Sequence, residues 1–261
     1  MHAALYVSKT GLAAQDKQLT TISNNLANAS TVGYKRDRVV FESLLYQITR
    51  QPGAQTTEDT QLPSGLQLGT GVRVAGTQKE FTHGSLQITE QPLDVAIDGR
   101  GFFQIQQPDG TLGYTRAGQL HLNGDGQLTN SSGLLLQPNI TIPDNADRIS
   151  IGTDGIITAF VQGEPAPQTL GNIQITDFVN PGGLQAIGSN LFLETASSGD
   201  PITGTPGENG IGSVKQGMLE NSNVDIVEEM VNMITTQRAY EMNSKVVSTA
   251  DQMLQFITQN I

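Results

Sequence analysis

Leu5, Leu12, Leu19 and Leu26 fall seven residues apart, and Ile22 joins them three residues after Leu19. No other feature constrains the chain as much, because a seven-residue apolar repeat keeps one seam of a helix turned toward a partner. Gly11, Ala13 and Ala14 lie off the leucine line and are small enough to admit a second helix closely. A helix of about 25 residues is roughly 38 Å long. Packing, not propensity, has to hold such a helix in place. It closes on Asn24, Asn25 and Asn28, ahead of Gly33. Asn24 and Asn28 stand four apart and share a helix face. Two readings of these asparagines stay open. They cap and terminate the helix, or they form an amide ladder to neighbouring molecules, since Asn late in a helix costs propensity unless it is bonded.

The candidate partner lies at the far end. From Val224 to Ile261 there is no Gly or Pro. Met230, Met233 and Ile234, then Val246, Met253, Leu254 and Ile257, mark an apolar face, and Ser222 with Asp225 three residues later reads as an N-cap. The leucine seam is expected to meet this C-terminal helix as a coiled coil. Between the two helices the texture changes. Residues 35–45 are compatible with helix or strand, and 46–71 read as an extended connector or long loop, rich in Gln and Thr and broken at Pro52, Gly53, Pro63 and Gly65. From Val72 to about Leu219 short β-type runs alternate with turn signals such as Pro108-Asp109-Gly110 and Asn123-Gly124-Asp125-Gly126. The fold expected is mixed α and β. Residues 1–34 and 222–261 form a helical part, 35–71 a connector, and 72–221 an all-β, antiparallel barrel- or sandwich-like domain.

Composition excludes several functions. With no Cys there is no disulfide, zinc-thiolate or cysteine nucleophile. The net charge is −11, but residues 1–50 carry six basic residues against three acidic ones, so the remainder carries −14. An acidic body disfavours nucleic acid, and the Lys35-Arg36-Asp37-Arg38 cluster reads as a solvated or salt-bridged connector. No 18-residue apolar run and no apolar leader stretch occur, so neither a membrane span nor a cleaved signal peptide is expected. His2, His83 and His121 are dispersed, and no G-x-S-x-G, H-E-x-x-H or P-loop is present. Gly99-Arg100-Gly101 reads as a tight strand connection rather than a nucleotide loop. Nothing singles out a pair among Asp94, Asp98 and Asp109. No catalytic, metal or cofactor site is therefore expected, and a wall hydrolase remains only a remote alternative.

Three motifs carry a family resemblance. The run from Asn24 to Arg36 resembles the N-terminal signature of the bacterial flagellar basal-body rod and hook axial proteins. Gly99 to Phe103 with Tyr114 to Gly118 resembles that family's β-domain motif, and Gln237 to Lys245 its C-terminal signature. Arg50 to Gln67 resembles a stretch found in the distal rod branch; a proximal rod or hook subunit is the alternative.

The resemblance implies a helical homopolymer, a straight hollow shaft that transmits torque from motor to hook and passes export substrates. The implied partners are proximal rod proteins, hook protein, the P ring and L ring proteins and the flagellar type III export apparatus. The implied location is the basal body, across the periplasm to the outer membrane. Implied roles are polymerisation for Leu5, Leu12, Leu19, Ile22, Asn24, Asn25, Leu26 and Asn28 together with the C-terminal apolar face. Straightness falls to the connector with Pro52, Gly53, Pro63 and Gly65. Phe41 with Leu45 resembles a short export-gate motif, with packing in the connector as the rival reading.

Overall fold

The structure, a computed structural model, describes residues 2–52, 55–57, 60–61, 63–161 and 166–259, with side chains for 4–52, 63–161 and 166–256. The chain divides into two compact units. One comprises Met1–Ala27, Asp37–Gln78 and Asp225–Ile261, the other Asn28–Arg36 and Lys79–Val224. Gly53 lies outside the described residues, as does the side chain of Ile257.

The first unit holds two helices, α1 (His2–Ala27) and α2 (Ile226–Gln259). Asp225 caps α2: its carboxylate accepts the Val227 and Glu228 amides at 2.8 and 3.2 Å, and Glu228 and Glu229 add negative charge at the positive end of the dipole. Ser222 is not the cap; its hydroxyl accepts the Val224 amide two residues on. The helices run antiparallel. Asn25 reaches Glu229, and a Cβ on Gly11 would lie 3.1 Å from Asn243 Nδ2. Both pairs sit fourteen residues apart on each helix, so one register holds over two heptads.

Between Asp37 and Gln78 the described chain of this unit forms short strands. Asp37–Ser43 pairs with Val72–Lys79, which resolves the helix-or-strand ambiguity in favour of the β-branched pair Val39 and Val40. The connector expected at 46–71 is not structureless. Tyr46–Arg50 pairs antiparallel with Leu66–Gly69, register Tyr46 to Gly69, with a shift between Ile48 and Arg50. A second short pair, Gln55–Thr57 with Thr60–Gln61, follows the first strand. Gly65 closes the hairpin's base, where a Cβ would meet Arg50 O at 2.5 Å and Pro52 Cδ at 2.6 Å.

The second unit is built of short antiparallel ladders. Its main sheet runs Gln185–Gly188, Leu191–Leu193, Leu112–Thr115, Phe102–Gln106, Ile175–Asp177, Ile202–Gly204, with Leu136–Gln137 also paired to Phe102–Gln106. A three-stranded sheet (Ala146–Ile151, Ile156–Val161, Gln168–Asn172) and separate two-stranded pairs accompany it. The expected barrel does not close: the edge strands Gln185–Gly188 and Ile202–Gly204 do not pair with each other. Ladders of two to five residues are too short to supply the tilt and stagger a closed cylinder needs.

Both faces of the central strand are covered. Phe103 and Ile105 enter an aliphatic core with Leu120, Leu128, Leu136, Ile157, Ile173 and Val214. Phe102 enters an aromatic cluster with Tyr114, Phe178 and Phe192, where Tyr114 meets Phe178 edge to face at 4.8 Å. Gly99 and Gly101, with φ of 123° and 128°, make the tight connection into this strand.

Candidate functional site

The helix pair divides its residues unexpectedly. On α1 the deepest positions are Ser8, Ala14, Ile22 and Asn25; on α2 they are Glu229, Thr236 and Ala250. The intrachain seam is thus mostly small or polar. Leu5, Leu12, Leu19 and Leu26 are only half-buried, so the leucine line flanks the seam instead of forming it. Apolar side chains of α2 point outward. Met230, Ile234, Val246 and Met253 are about half exposed, alongside Val227, Val231, Met242 and Phe256, while Met233 and Leu254 are half-buried. A seam of this composition sets register at the expense of affinity, and the apolar area that drives association is left on the outside.

The asparagines separate by role. Asn25 is 2% exposed and exchanges two bonds with Asp37: its Nδ2 donates to the Asp37 carbonyl and its Oδ1 accepts the Asp37 amide, both at 2.9 Å. It ties α1 to the first strand and, at 3.3 Å, to Glu229. Asn28 accepts from the Thr31 hydroxyl in the turn after the helix. Asn24 is exposed.

On the hairpin, Leu45 is 89% exposed, and Tyr46, Ile48, Leu66 and Leu68 are all exposed. Phe41 lies on the neighbouring strand and is also exposed. Pro52 and Pro63 are exposed and Gly65 half-buried. A two-stranded ribbon with apolar side chains in water is marginal alone and needs something to pack on.

The second unit carries a constellation that the sequence did not reveal. Segment 28–36 lies docked on it. Gly33, with φ of 70°, leaves no room for a side chain, since a Cβ would lie 2.6 Å from the Ala117 amide nitrogen. Asn190 Nδ2 donates to the Val32 carbonyl, and the Gly33 amide donates to the Glu220 carbonyl. Tyr34 is buried beneath the Lys79 ammonium, 5.2 Å from its ring centroid.

Lys35, expected in a solvated or salt-bridged cluster, is wholly buried. Its Nζ donates to Glu220 Oε1 and to the Thr82 carbonyl, both at 2.7 Å. Arg116 Nη1 stands 3.7 Å from Glu220 Oε2, and both side chains are buried. Desolvation pushes the Lys35 pKa down, and the Glu220 charge opposes that. Burial likewise lowers Arg116, against Glu220 and Asp177. His83 Nδ1 lies 3.9 Å from Glu220 Oε1; partial burial and the nearby Arg116 lower its pKa. Glu220 is 185 residues from Lys35, so no local pattern links them. Gly33 was the only local signal, a backbone position that wants φ above zero.

Among the described residues, no three His, Cys, Asp or Glu side chains gather to hold a metal ion, and no helix is long and apolar enough to cross a membrane. Among the described residues the geometry offers packing surfaces and a docked segment.

Comparison with known sequences agrees in extent and kind. Residues 5–35 match the family described as "Flagella basal body rod protein". Residues 96–159 match "Flagellar hook protein FlgE/F/G D1 domain", and 215–260 match "Flagellar basal body rod FlgEFG protein C-terminal". The chain is 52% identical over 259 residues to a flagellar basal-body rod protein FlgG of Buchnera aphidicola subsp. Schizaphis graminum, covering 99% of this chain and 100% of the relative. To the FlgG of Caulobacter vibrioides it is 48% identical over 257 residues, 98% of each chain. The Bacillus subtilis FlgG is 38% identical over 260 residues, 98% of this chain and 97% of the relative. Full-length similarity of this kind places the chain in the flagellar basal-body rod protein family, as a structural rod subunit of the flagellum and not an enzyme.

Proposed function

We propose that the chain is the subunit of a straight, hollow distal rod that polymerises through its helices. The observation that carries this reading is the inversion of the helix pair, with small and polar residues facing inward and Met230, Ile234, Val246, Met253 and Phe256 facing out. Burying those side chains against further copies is worth about 25 cal/mol per Å² of apolar surface. The antiparallel pair acts as a short coiled coil whose register is fixed by Asn25 and Gly11. The leucine line and the outer face of α2 then meet neighbouring subunits. The helices within the ends 1–34 and 222–261 would build the axial core, the strands within 35–71 the connector, and the β unit within 72–221 an outer, acidic domain.

The hairpin with Pro52, Gly53, Pro63 and Gly65 is assigned to keeping the filament straight, and its exposed apolar side chains support an inter-subunit place for it. Torque would pass along the axis from proximal rod to hook, inside the P and L rings, across the periplasm. Export substrates would pass through the lumen. Phe41 and Leu45, both exposed, are available to the type III export apparatus before assembly. A helical reconstruction of filaments grown from the purified chain tests the core of this reading. The expected result is a straight tube with α1 and α2 lining the inner wall. A tube walled by the β units, or no ordered polymer at any concentration, would refute it.

A further inference from the structure

Three pieces of chain, 33–36, 80–84 and 220–223, are bonded to one another in every pairing. Glu220 Oε1 accepts Lys35 Nζ at 2.7 Å and the Gly84 amide at 3.1 Å. Its carbonyl accepts the Gly33 amide at 2.8 Å. Three residues on, Asn223 Oδ1 accepts the Arg36 amide at 2.8 Å, and Asn223 Nδ2 donates to the Glu80 carbonyl at 2.7 Å. Arg36 Nε donates to Glu80 Oε2 at 2.6 Å, and the Glu80 amide donates to the Arg36 carbonyl at 2.9 Å. These pieces stand where the chain passes into or out of the β unit, at the boundaries 36/37, 78/79 and 224/225.

We propose that these bonds form a latch, with Glu220 as its keystone, that opens and closes as one step and frees three of the four chain passages, 36/37, 78/79 and 224/225, together while the β sheet stays folded. The cluster holds two buried cations, Lys35 and Arg116, against Glu220, with Asp177 a further negative charge facing Arg116. Losing the Glu220 carboxylate strips buried Lys35 of its carboxylate partner and Arg116 of one of two, a larger penalty than losing one bond. The pieces share their partners in a closed ring, so breaking one side loosens the other two. The latch pieces lie at the boundaries of the unit along the chain, with Phe81 packed on Phe102, whereas the strand Phe102–Gln106 is paired on both sides and buried on both faces. Segments outside the ladders open ahead of a centrally paired strand in the usual order of local unfolding. The inference concerns the single chain and holds whether or not the chain polymerises.

Amide hydrogen exchange on the full chain tests it. In the unsubstituted protein the Gly33, Arg36 and Gly84 amides should exchange at one shared rate. Glu220→Gln should accelerate all three together by about tenfold or more while the amides of Phe102–Gln106 keep their rate. Asn223→Ala removes direct bonds from Arg36, Glu80 and Thr82 but none from Gly33, and it should accelerate Gly33 as well as Arg36. It serves alone if Glu220→Gln does not fold. Acceleration of Arg36 without Gly33 in Asn223→Ala would overturn the latch. So would unchanged Gly33 and Arg36 rates in a folded Glu220→Gln, or strand amides accelerating in step.

Discussion

At the scale of single residues, the most consequential positions are polar ones in buried surroundings. Asn25 satisfies both backbone groups of Asp37 and touches Glu229. Asn25→Asp keeps the shape, removes the donor and sets a carboxylate beside the Glu229 carboxylate. It should cost about 3 kcal/mol, against about 2 kcal/mol for Asn25→Ala. Urea titration followed by the helical circular dichroism signal measures both; equal stability of Asn25→Asp and the parent would contradict the role assigned here. His83 faces Glu220, Arg116, Lys35 and Asp98. Its pKa in the folded chain lies below its ordinary value of 6.5. As pH falls through that value the unfolded chain takes up the proton before the folded one, so acid removes stability. Between about pH 7.5 and about pH 5.5 the melting temperature should fall more steeply than that of His83→Gln. Parallel curves would show that His83 carries no part of the dependence. Sequence reading could see Gly33 as a special backbone position, but not Lys35 as a buried cation. A lysine flanked by Arg36 looks solvated until a carboxylate from the other end of the chain is placed against it.

At the scale of elements, period and length identified the two helices, because a seven-residue repeat and a long run without Gly or Pro leave few alternatives. Periodicity also placed the turns at 108–110 and 123–126, both of which join antiparallel strands. At 46–71 it left an extended connector or a long loop open, and the pairing of Tyr46–Arg50 with Leu66–Gly69 is extended, as Tyr46, Ile48 and Thr49 favour. It misjudged which stripe of α1 turns inward. Leucines attract attention, yet the seam is set by how closely two backbones can approach, and small residues decide that. The hairpin Tyr46–Arg50 with Leu66–Gly69 exposes most of its apolar side chains and therefore depends on a neighbour. Deleting residues 46–69 should leave a chain that still assembles but gives curved or flexible filaments. Electron microscopy of the assembled product reads this directly, and straight filaments of unchanged persistence would remove the hairpin from its proposed role.

At the scale of the whole molecule, the two units differ in what completes them. The β unit buries its own aliphatic and aromatic clusters. The helical unit leaves much of its apolar surface in water, so its order depends on association. With 26 and 34 residues in α1 and α2, the dilute monomer should show less helical circular dichroism than those lengths would give, and the signal should rise on polymerisation. Full helicity at the lowest concentration would dismiss this dependence. Composition hinted at it, since 36% apolar residues and no Trp are thin for one compact core of 261 residues. What composition could not convey is that the chain visits the β unit twice, as 28–36 and as 79–224.

The antiparallel course of α1 and α2 has a practical consequence. Ala27 and Ile226 lie at one end of the pair, and Gly11 faces Asn243 on the way to the other. The outer ends of the two helices, at His2 and Gln259, therefore lie toward the same tip. A label, tag or fusion partner attached at either outer end would crowd that one tip, and two such attachments, one at each end, would compete for the same space.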